Sequence, residues 1–70
     1  MMIMITHGSE DLKKRVLLNP EAIESIYMGP GVAKVCVIHM KSGHIHKILN
    51  KDLDEVVRVL YGHDFNRTSL

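Results

Sequence analysis

The stretch VAKVCVIHMKSGHIHKIL, residues 32–49, decides the fold, because it has the pattern of two strands joined by a tight turn. Val32 to Met40 is rich in β-branched side chains and forms the strongest strand signal in the chain. His44 to Leu49 gives a second, shorter run after Lys41-Ser42-Gly43, which contains the glycine that hairpin turns favour. The stretch therefore predicts a β-hairpin, and with it an antiparallel sheet.

Two registers of this hairpin are open, and they place its three histidines differently. A two-residue turn sets His39 opposite His46, so that both share a face with His44. A three-residue turn with Gly43 in a bulge sets Met40 opposite His44 and sends His39 to the other face. A shared face would supply three nitrogens that suit Zn²⁺, but no carboxylate or cysteine is placed to complete such a site. We therefore predict neither a metal nor a cofactor, and interpret the histidines as half-exposed strand residues or as contacts for a partner or an anion.

The segments before this hairpin read as further short strands. Met1 to Thr6 is an apolar run without helix caps, Ser9 to Lys14 is a polar loop or single helical turn, and Arg15 to Leu18 is a second strand. Asn19 to Ala22 predicts a tight turn, because Asn bonds to nearby backbone and Pro20 fixes φ.

The chain after this turn has two interpretations. In the first it is extended through Met28. A helix from Pro20 to Met28 is the competing one, with Asn19 as its N-cap. Gly29 to Gly31 then breaks the chain before the strong strand.

The last element predicted is an amphipathic helix. Asn50 or Asp52 caps it, Asp52 and Glu55 have capping-box spacing, and Gly62 ends it. One apolar stripe runs along it through Leu53, Val56, Val57 and Leu60. The predicted fold is thus α+β: a small antiparallel sheet of four to five strands with one C-terminal helix, as a single domain over 1–62 followed by a flexible tail at 63–70. One helix covers one sheet face, which leaves the second face for water or another subunit.

Size and composition restrict the function further. A chain of 70 residues buries a small core, and Cys36 is its one cysteine, so that no intrachain disulfide stabilises it. A structural metal or self-association can stabilise such a chain, and a compact monomer is also open; of these we expect self-association. The net charge of +1 does not favour nucleic acid or an anionic membrane surface. No apolar run is long enough to span a bilayer, and MMIMIT lacks the features of a signal peptide, which predicts a cytoplasmic protein.

The residues whose side-chain types serve in catalysis elsewhere have simpler explanations here. Cys36 lies in mid-strand between two valines, as a buried and inert thiol would. Asp52, Asp54 and Glu55 open a helix, where negative charge favours the macrodipole. Gly29 to Gly31 lacks the Lys-Ser/Thr ending of a phosphate loop and precedes a strand. We therefore predict that the chain is not an enzyme.

Three segments in this order, VLLNPEAIESI, VCVIHMKSG and NKDLDEVVRVL, resemble the flagellar FlbD-like proteins and similar uncharacterised phage and prophage proteins. The likeness spans roughly Arg15 to Leu60: an Asn-Pro turn followed by Ile-x-x-Ile, a strand that ends in a polar-Gly turn, and a closing helix. The chain departs from that pattern where HGSEDLKK replaces a short Leu-Asn-Gly turn, in its histidine pair, and after Gly62. The resemblance implies a non-enzymatic accessory protein that self-associates, and supplies no catalytic or ligand residue.

Two functional hypotheses follow. The first is an interaction module that forms a homo-oligomer and acts by binding a partner protein. The second is a phage-encoded protein that sequesters a small anionic ligand, such as a nucleotide signal, in a pocket between subunits. The candidate ligand- or partner-binding residues are His39, His44, His46, Arg15, Lys34, Gly29 and Gly31.

Overall fold

A computed structural model describes residues 1–62, which contain five strands, one 3-10 turn and one α-helix. In chain order these are β1 (Ile3–Gly8), β2 (Lys13–Leu18), the 3-10 turn (Pro20–Ala22), β3 (Ile23–Met28), β4 (Val35–Met40), β5 (Ile45–Leu49) and α1 (Leu53–Tyr61). The tail predicted at 63–70 lies outside the described residues.

The strands form two antiparallel sheets, and the prediction of one sheet is wrong in this respect. β1 pairs with β2, while β3, β4 and β5 form a three-stranded sheet with β4 in the middle. β1 lies beside β5, but a side chain makes the link: Nδ1 of His7 accepts the Leu49 N–H at 2.9 Å. An imidazole therefore takes the place of a backbone ladder between the sheets. The antiparallel strands and the C-terminal helix are as predicted.

The first hairpin is longer than predicted. β1 continues to Gly8, and β2 already begins at Lys13, so Ser9 to Leu12 alone form the turn. Gly8 has φ +99°, and a Cβ there would overlap the carbonyl oxygen of Leu12, so this tight turn requires glycine.

The turn before β3 is confirmed, and the alternative helix over 20–28 is wrong. The Asn19 side chain accepts the Glu21 N–H at 3.1 Å, and the Ala22 N–H donates to the Asn19 carbonyl at 2.9 Å. These bonds close one turn, after which the chain is extended from Ile23. At the other end of β3 the loop is longer than predicted, because β4 begins at Val35 and the predicted strand residue Val32 is fully exposed.

The hairpin of β4 and β5 has the three-residue turn. The Met40 N–H donates to the His44 carbonyl at 2.8 Å, and the Gly43 N–H donates to the Met40 carbonyl at 2.9 Å. Gly43 has φ +98°, as the bulge requires. His39 therefore leaves one face of the sheet, and His46 leaves the other.

Helix α1 begins with the predicted capping box. Asp52 accepts the Glu55 N–H at 3.0 Å, Glu55 accepts the Asp52 N–H at 3.3 Å, and Gly62 ends the helix with its N–H on the Arg58 carbonyl at 2.8 Å. Asn50 is not the cap and lies at φ +61° just before it. No helix within residues 1–62 is long and apolar enough to cross a membrane.

The core lies between α1, the first hairpin and one face of the three-stranded sheet, which we call the inner face. α1 packs against β1 and β3. The buried cluster consists of Ile5, Leu18, Cys36, Ile38, Ile48, Val56 and Leu60. The three members from β4 and β5, Cys36, Ile38 and Ile48, all have their side chains on the inner face.

Candidate functional site

The opposite face of the three-stranded sheet, which we call the outer face, contributes no side chain to the core cluster. Strand pairing sets its membership, because side chains of directly paired residues leave the same side. It consists of Ser25 and Tyr27 from β3, Val35, Val37 and His39 from β4, and Ile45, Lys47 and Leu49 from β5. Five of these eight side chains are aliphatic or aromatic: Tyr27, Val35, Val37, Ile45 and Leu49.

The centre of the outer face is Val37, which is buried although it does not belong to the core cluster. Tyr27 lies opposite it on β3, and Lys47 lies opposite it on β5. These long side chains flank the valine and shield it. Tyr27 is nevertheless 45% exposed and Ile45 is 53% exposed, so the face keeps apolar surface in contact with water.

A hydrogen bond between Tyr27 and His39 links β3 to β4 on the outer face. Tyr27 Oη and His39 Nε2 lie 2.7 Å apart and share a hydrogen bond, and the two rings are 5.3 Å apart at 31°. His39 lies opposite Ser25 on one side and opposite Ile45 on the other. Lys47 is one diagonal position away, within reach of a long side chain. A phenol, an imidazole and an ammonium group thus lie around an apolar centre, and the face carries no carboxylate.

The structure does not bring the seven predicted binding residues together. His39 lies on the outer face, whereas His44 and His46 lie on the other side of the sheet with ring centroids 6.3 Å apart. Lys34 precedes β4 at its other end, roughly 16 Å from His39 at 3.3 Å per extended residue. The Lys34 ammonium lies 3.9 Å from Asp52, in an exposed pair that contributes little.

The remaining predicted residues lie apart as well. Arg15 is exposed on β2 opposite Thr6. Gly29 donates its N–H to the Val35 carbonyl at 2.8 Å, and Gly31 lies in the exposed loop at φ +99°. Among residues 1–62 no group of three His, Cys, Asp or Glu side chains could hold a metal ion. Cys36 is fully buried, and burial, followed by the charge of Asp52, raises the pKa of its thiol.

Two residues that the structure makes prominent are not among those predicted from the sequence. Tyr27 is the first, and no local signal marks it, because its contact with His39 depends on the pairing of β3 with β4. His7 is the second, and its signal is the alternation of Ile3, Ile5 and His7 along β1, which places the imidazole on the buried side. His7 is 7% exposed, and burial, followed by the charges of Lys14 and Lys51, lowers its pKa.

A second surface feature is a groove of about 480 Å³ between β3 and α1. Its apolar lining includes Ile23, Ile26, Leu53 and Val57. Its charged lining is Glu24, Asp54 and Arg58. Both ion pairs within residues 1–62, Lys34–Asp52 and Lys51–Glu55, lie elsewhere, so the three groove charges have no ionic partner in the described chain.

No family model matches this chain, and no curated protein or solved structure matches it significantly. The resemblance to FlbD-like proteins stays a prediction. The outer face and the groove are therefore the two surfaces from which a function can be inferred.

Proposed function

We propose that this chain is a non-enzymatic interaction module that self-associates and acts in the cytoplasm by binding a partner protein. The observation that carries the proposal is the outer face, with its apolar centre at Val37 and its exposed Tyr27 and Ile45. Aromatic and aliphatic side chains around a buried centre are typical of protein interfaces. The FlbD-like resemblance implies the same class of protein.

The chemistry of this face defines the partner. Lys47 and His39 lie on it without a carboxylate, so a complementary surface would be apolar at its centre and acidic beside Lys47. Such complementarity selects among partners more than it adds affinity. The partner surface that we propose therefore presents an aliphatic or aromatic side chain to Val37 and Ile45.

Two measurements test this function. Native mass spectrometry of the untagged full chain reports the number of subunits, and we expect an assembly. Affinity capture then compares the wild type with Ile45→Asp and with Leu17→Asp, a matched control that is 56% exposed on β2. We expect a partner that the wild type and the Leu17 variant retain and the Ile45 variant loses. Equal capture by all three chains would exclude the outer face, and a monomer at every concentration would exclude self-association.

A second candidate function is sequestration of a small anionic ligand, such as a nucleotide, between subunits. The hydrogen-bonded Tyr27 and His39 beside Lys47 favour it, because these groups can stack with a base and bind a phosphate. A thermal-shift panel of mono- and cyclic nucleotides tests it, with His39→Ala against His44→Ala as the control. A ligand that stabilises the wild type and the His44 variant, but not the His39 variant, supports this function. No shift with any nucleotide would remove it.

A further inference from the structure

We propose that self-association pairs the β3 edges of two copies in antiparallel fashion around a two-fold axis at Ile26, giving a continuous six-stranded sheet. This inference rests on the proposed function and names the surface through which the chain would self-associate. The occupant of the groove beside β3 is then the second copy.

The direction of the backbone groups of β3 is the first argument. The Gly29 N–H donates to the Val35 carbonyl, so the backbone groups of Gly29 point toward β4. In an antiparallel pair this direction alternates, which points those of Tyr27 toward β4 as well. The N–H and C=O groups of Ile26 and Met28 therefore point away from β4, to the side where the described chain has no further strand. They form a template for one more strand.

The difference between the two open edges is the second argument. β2 carries Lys13, Lys14 and Arg15, and such charges protect an edge against pairing with a copy of itself. β3 carries one charge, Glu24, and contains neither lysine nor proline. Its register irregularity lies between Ile23 and Ser25, which leaves the segment from Ile26 to Met28 regular. Of the two edges, β3 is the one built to pair.

The axis at Ile26 follows from the charge and from the backbone pattern. It sets Ile26 opposite Ile26 of the second copy as a hydrogen-bonded pair, in which each N–H donates to the other carbonyl. It also brings Glu24, which lies in the irregular part of β3, closest to Met28 of the second copy, so that the two carboxylates do not face each other. An axis that placed Glu24 opposite itself would oppose like charges, which is destabilising.

The groove supplies the third argument, because its charges complement themselves. Asp54 and Arg58 lie four residues apart on the groove side of α1, and neither has an ionic partner among residues 1–62. In the proposed dimer the two α1 helices would run in opposite directions across the two-fold axis, which would set Asp54 of one copy against Arg58 of the other, twice. The apolar lining at Leu53 and Val57 then becomes the centre of a closed interface.

A matched pair of substitutions at Met28 tests the register. Met28→Glu places a carboxylate opposite Glu24 of the second copy, and Met28→Lys places an ammonium there. Met28 is 36% exposed, so both variants introduce one long charged side chain at a position that water reaches in the single chain. We expect the dimer dissociation constant, from sedimentation equilibrium of the full chain, to be at least about fivefold higher for the glutamate variant than for the lysine variant.

Amide hydrogen exchange tests the same edge without a substitution. The Ile26 and Met28 amides should become protected as the protein concentration rises, while the Tyr27 amide, which points to β4, should be protected at every concentration.

The outcomes separate this inference from the proposed function. Equal dimer dissociation constants for the two Met28 variants, together with Ile26 amide protection that does not change with concentration, would overturn the β3 interface. If the wild type still assembles, self-association itself remains supported. A wild type that stays monomeric at all concentrations would overturn both. A protected Ile26 amide in a monomer would mean that the same chain covers its own β3 edge. That result would also overturn the inference.

Discussion

The imidazole of His7 should stabilise the fold as the hydrogen-bond acceptor that links the two sheets. Two substitutions at His7 should distinguish the contribution of this hydrogen bond to the free energy of unfolding from that of packing. His7→Leu fills the site with a side chain of similar size that has no acceptor. The Leu49 N–H, which donates to Nδ1 of His7 at 2.9 Å in the wild type, then lacks its partner. An unsatisfied donor at a part-buried site costs about 1–3 kcal/mol. His7→Asn loses some packing but places an oxygen near the position of Nδ1, so it should cost less than the leucine variant.

The expected effect is large for so small a fold. A core of this size supplies only a few kcal/mol of net stability, so the leucine variant should lose a substantial part of it. For a domain of this length, each kcal/mol lowers Tm by roughly 4–8 °C. Urea unfolding at neutral pH measures the free energy of unfolding of the three chains. A leucine variant as stable as the wild type, beside a destabilised asparagine variant, would refute the role of the acceptor.

The same imidazole should make stability depend on pH. Burial, with Lys14 and Lys51 nearby, lowers the pKa of folded His7 below the ordinary value of 6.5. As the pH falls below 6.5, the unfolded chain binds a proton at His7 before the folded chain does, so the free energy of unfolding decreases. The loss ends once the pH passes the lower folded pKa. The advantage of the wild type over His7→Asn should therefore shrink in acid, and a constant difference would contradict this account.

Three further substitutions test the parts of the fold that hold the surfaces in place. Gly8→Ala should destabilise the first hairpin by more than about 1 kcal/mol, measured by urea unfolding, because φ is +99° and the new Cβ overlaps the Leu12 carbonyl. Asp52→Ala removes the acceptor of the capping box and should cost about 1 kcal/mol by the same assay, with reduced helical circular dichroism. Val56→Ala should cost about 2 kcal/mol in thermal unfolding because that side chain is 1% exposed, whereas Val59→Ala, at a residue 51% exposed, should cost almost nothing.

The elements that the sequence predicted correctly depend on contacts over a few residues. The Asp52 capping box, the stop at Gly62 and the turn at Asn19 each need no knowledge of the rest of the chain. The turn between β4 and β5 is also local, so the sequence restricts this hairpin to two registers. The observed one has an internal cause, since Gly43 at positive φ closes the three-residue turn with two backbone bonds.

The division into two sheets and the composition of the outer face could not be predicted in this way. The residues from Gly29 to Lys34 form a loop that allows several pairings of β3 with β4, and the contact of Tyr27 with His39 exists in one of them. The separation of the sheets depends on His7 and Leu49, which lie 42 positions apart. The alternation of Ile3, Ile5 and His7 is visible in the sequence, however, and would have placed the imidazole on the correct side had it been used.

The two proposed surfaces meet in one strand, and this has a consequence for binding. In the proposed dimer β3 would present its edge to a second copy, while its Tyr27 side chain lies on the outer face. Side chains of directly paired residues lie on the same side of a sheet. A six-stranded sheet would therefore join the outer faces of two copies into one surface, with Tyr27 beside Ser25 of the second copy. A partner with two matching segments would then bind both halves at a high effective concentration. By linkage, such a partner would also strengthen the dimer, since it binds the paired state more tightly than the single chain. Self-association would in that case be a condition for tight binding, beyond any support that it gives to a small core.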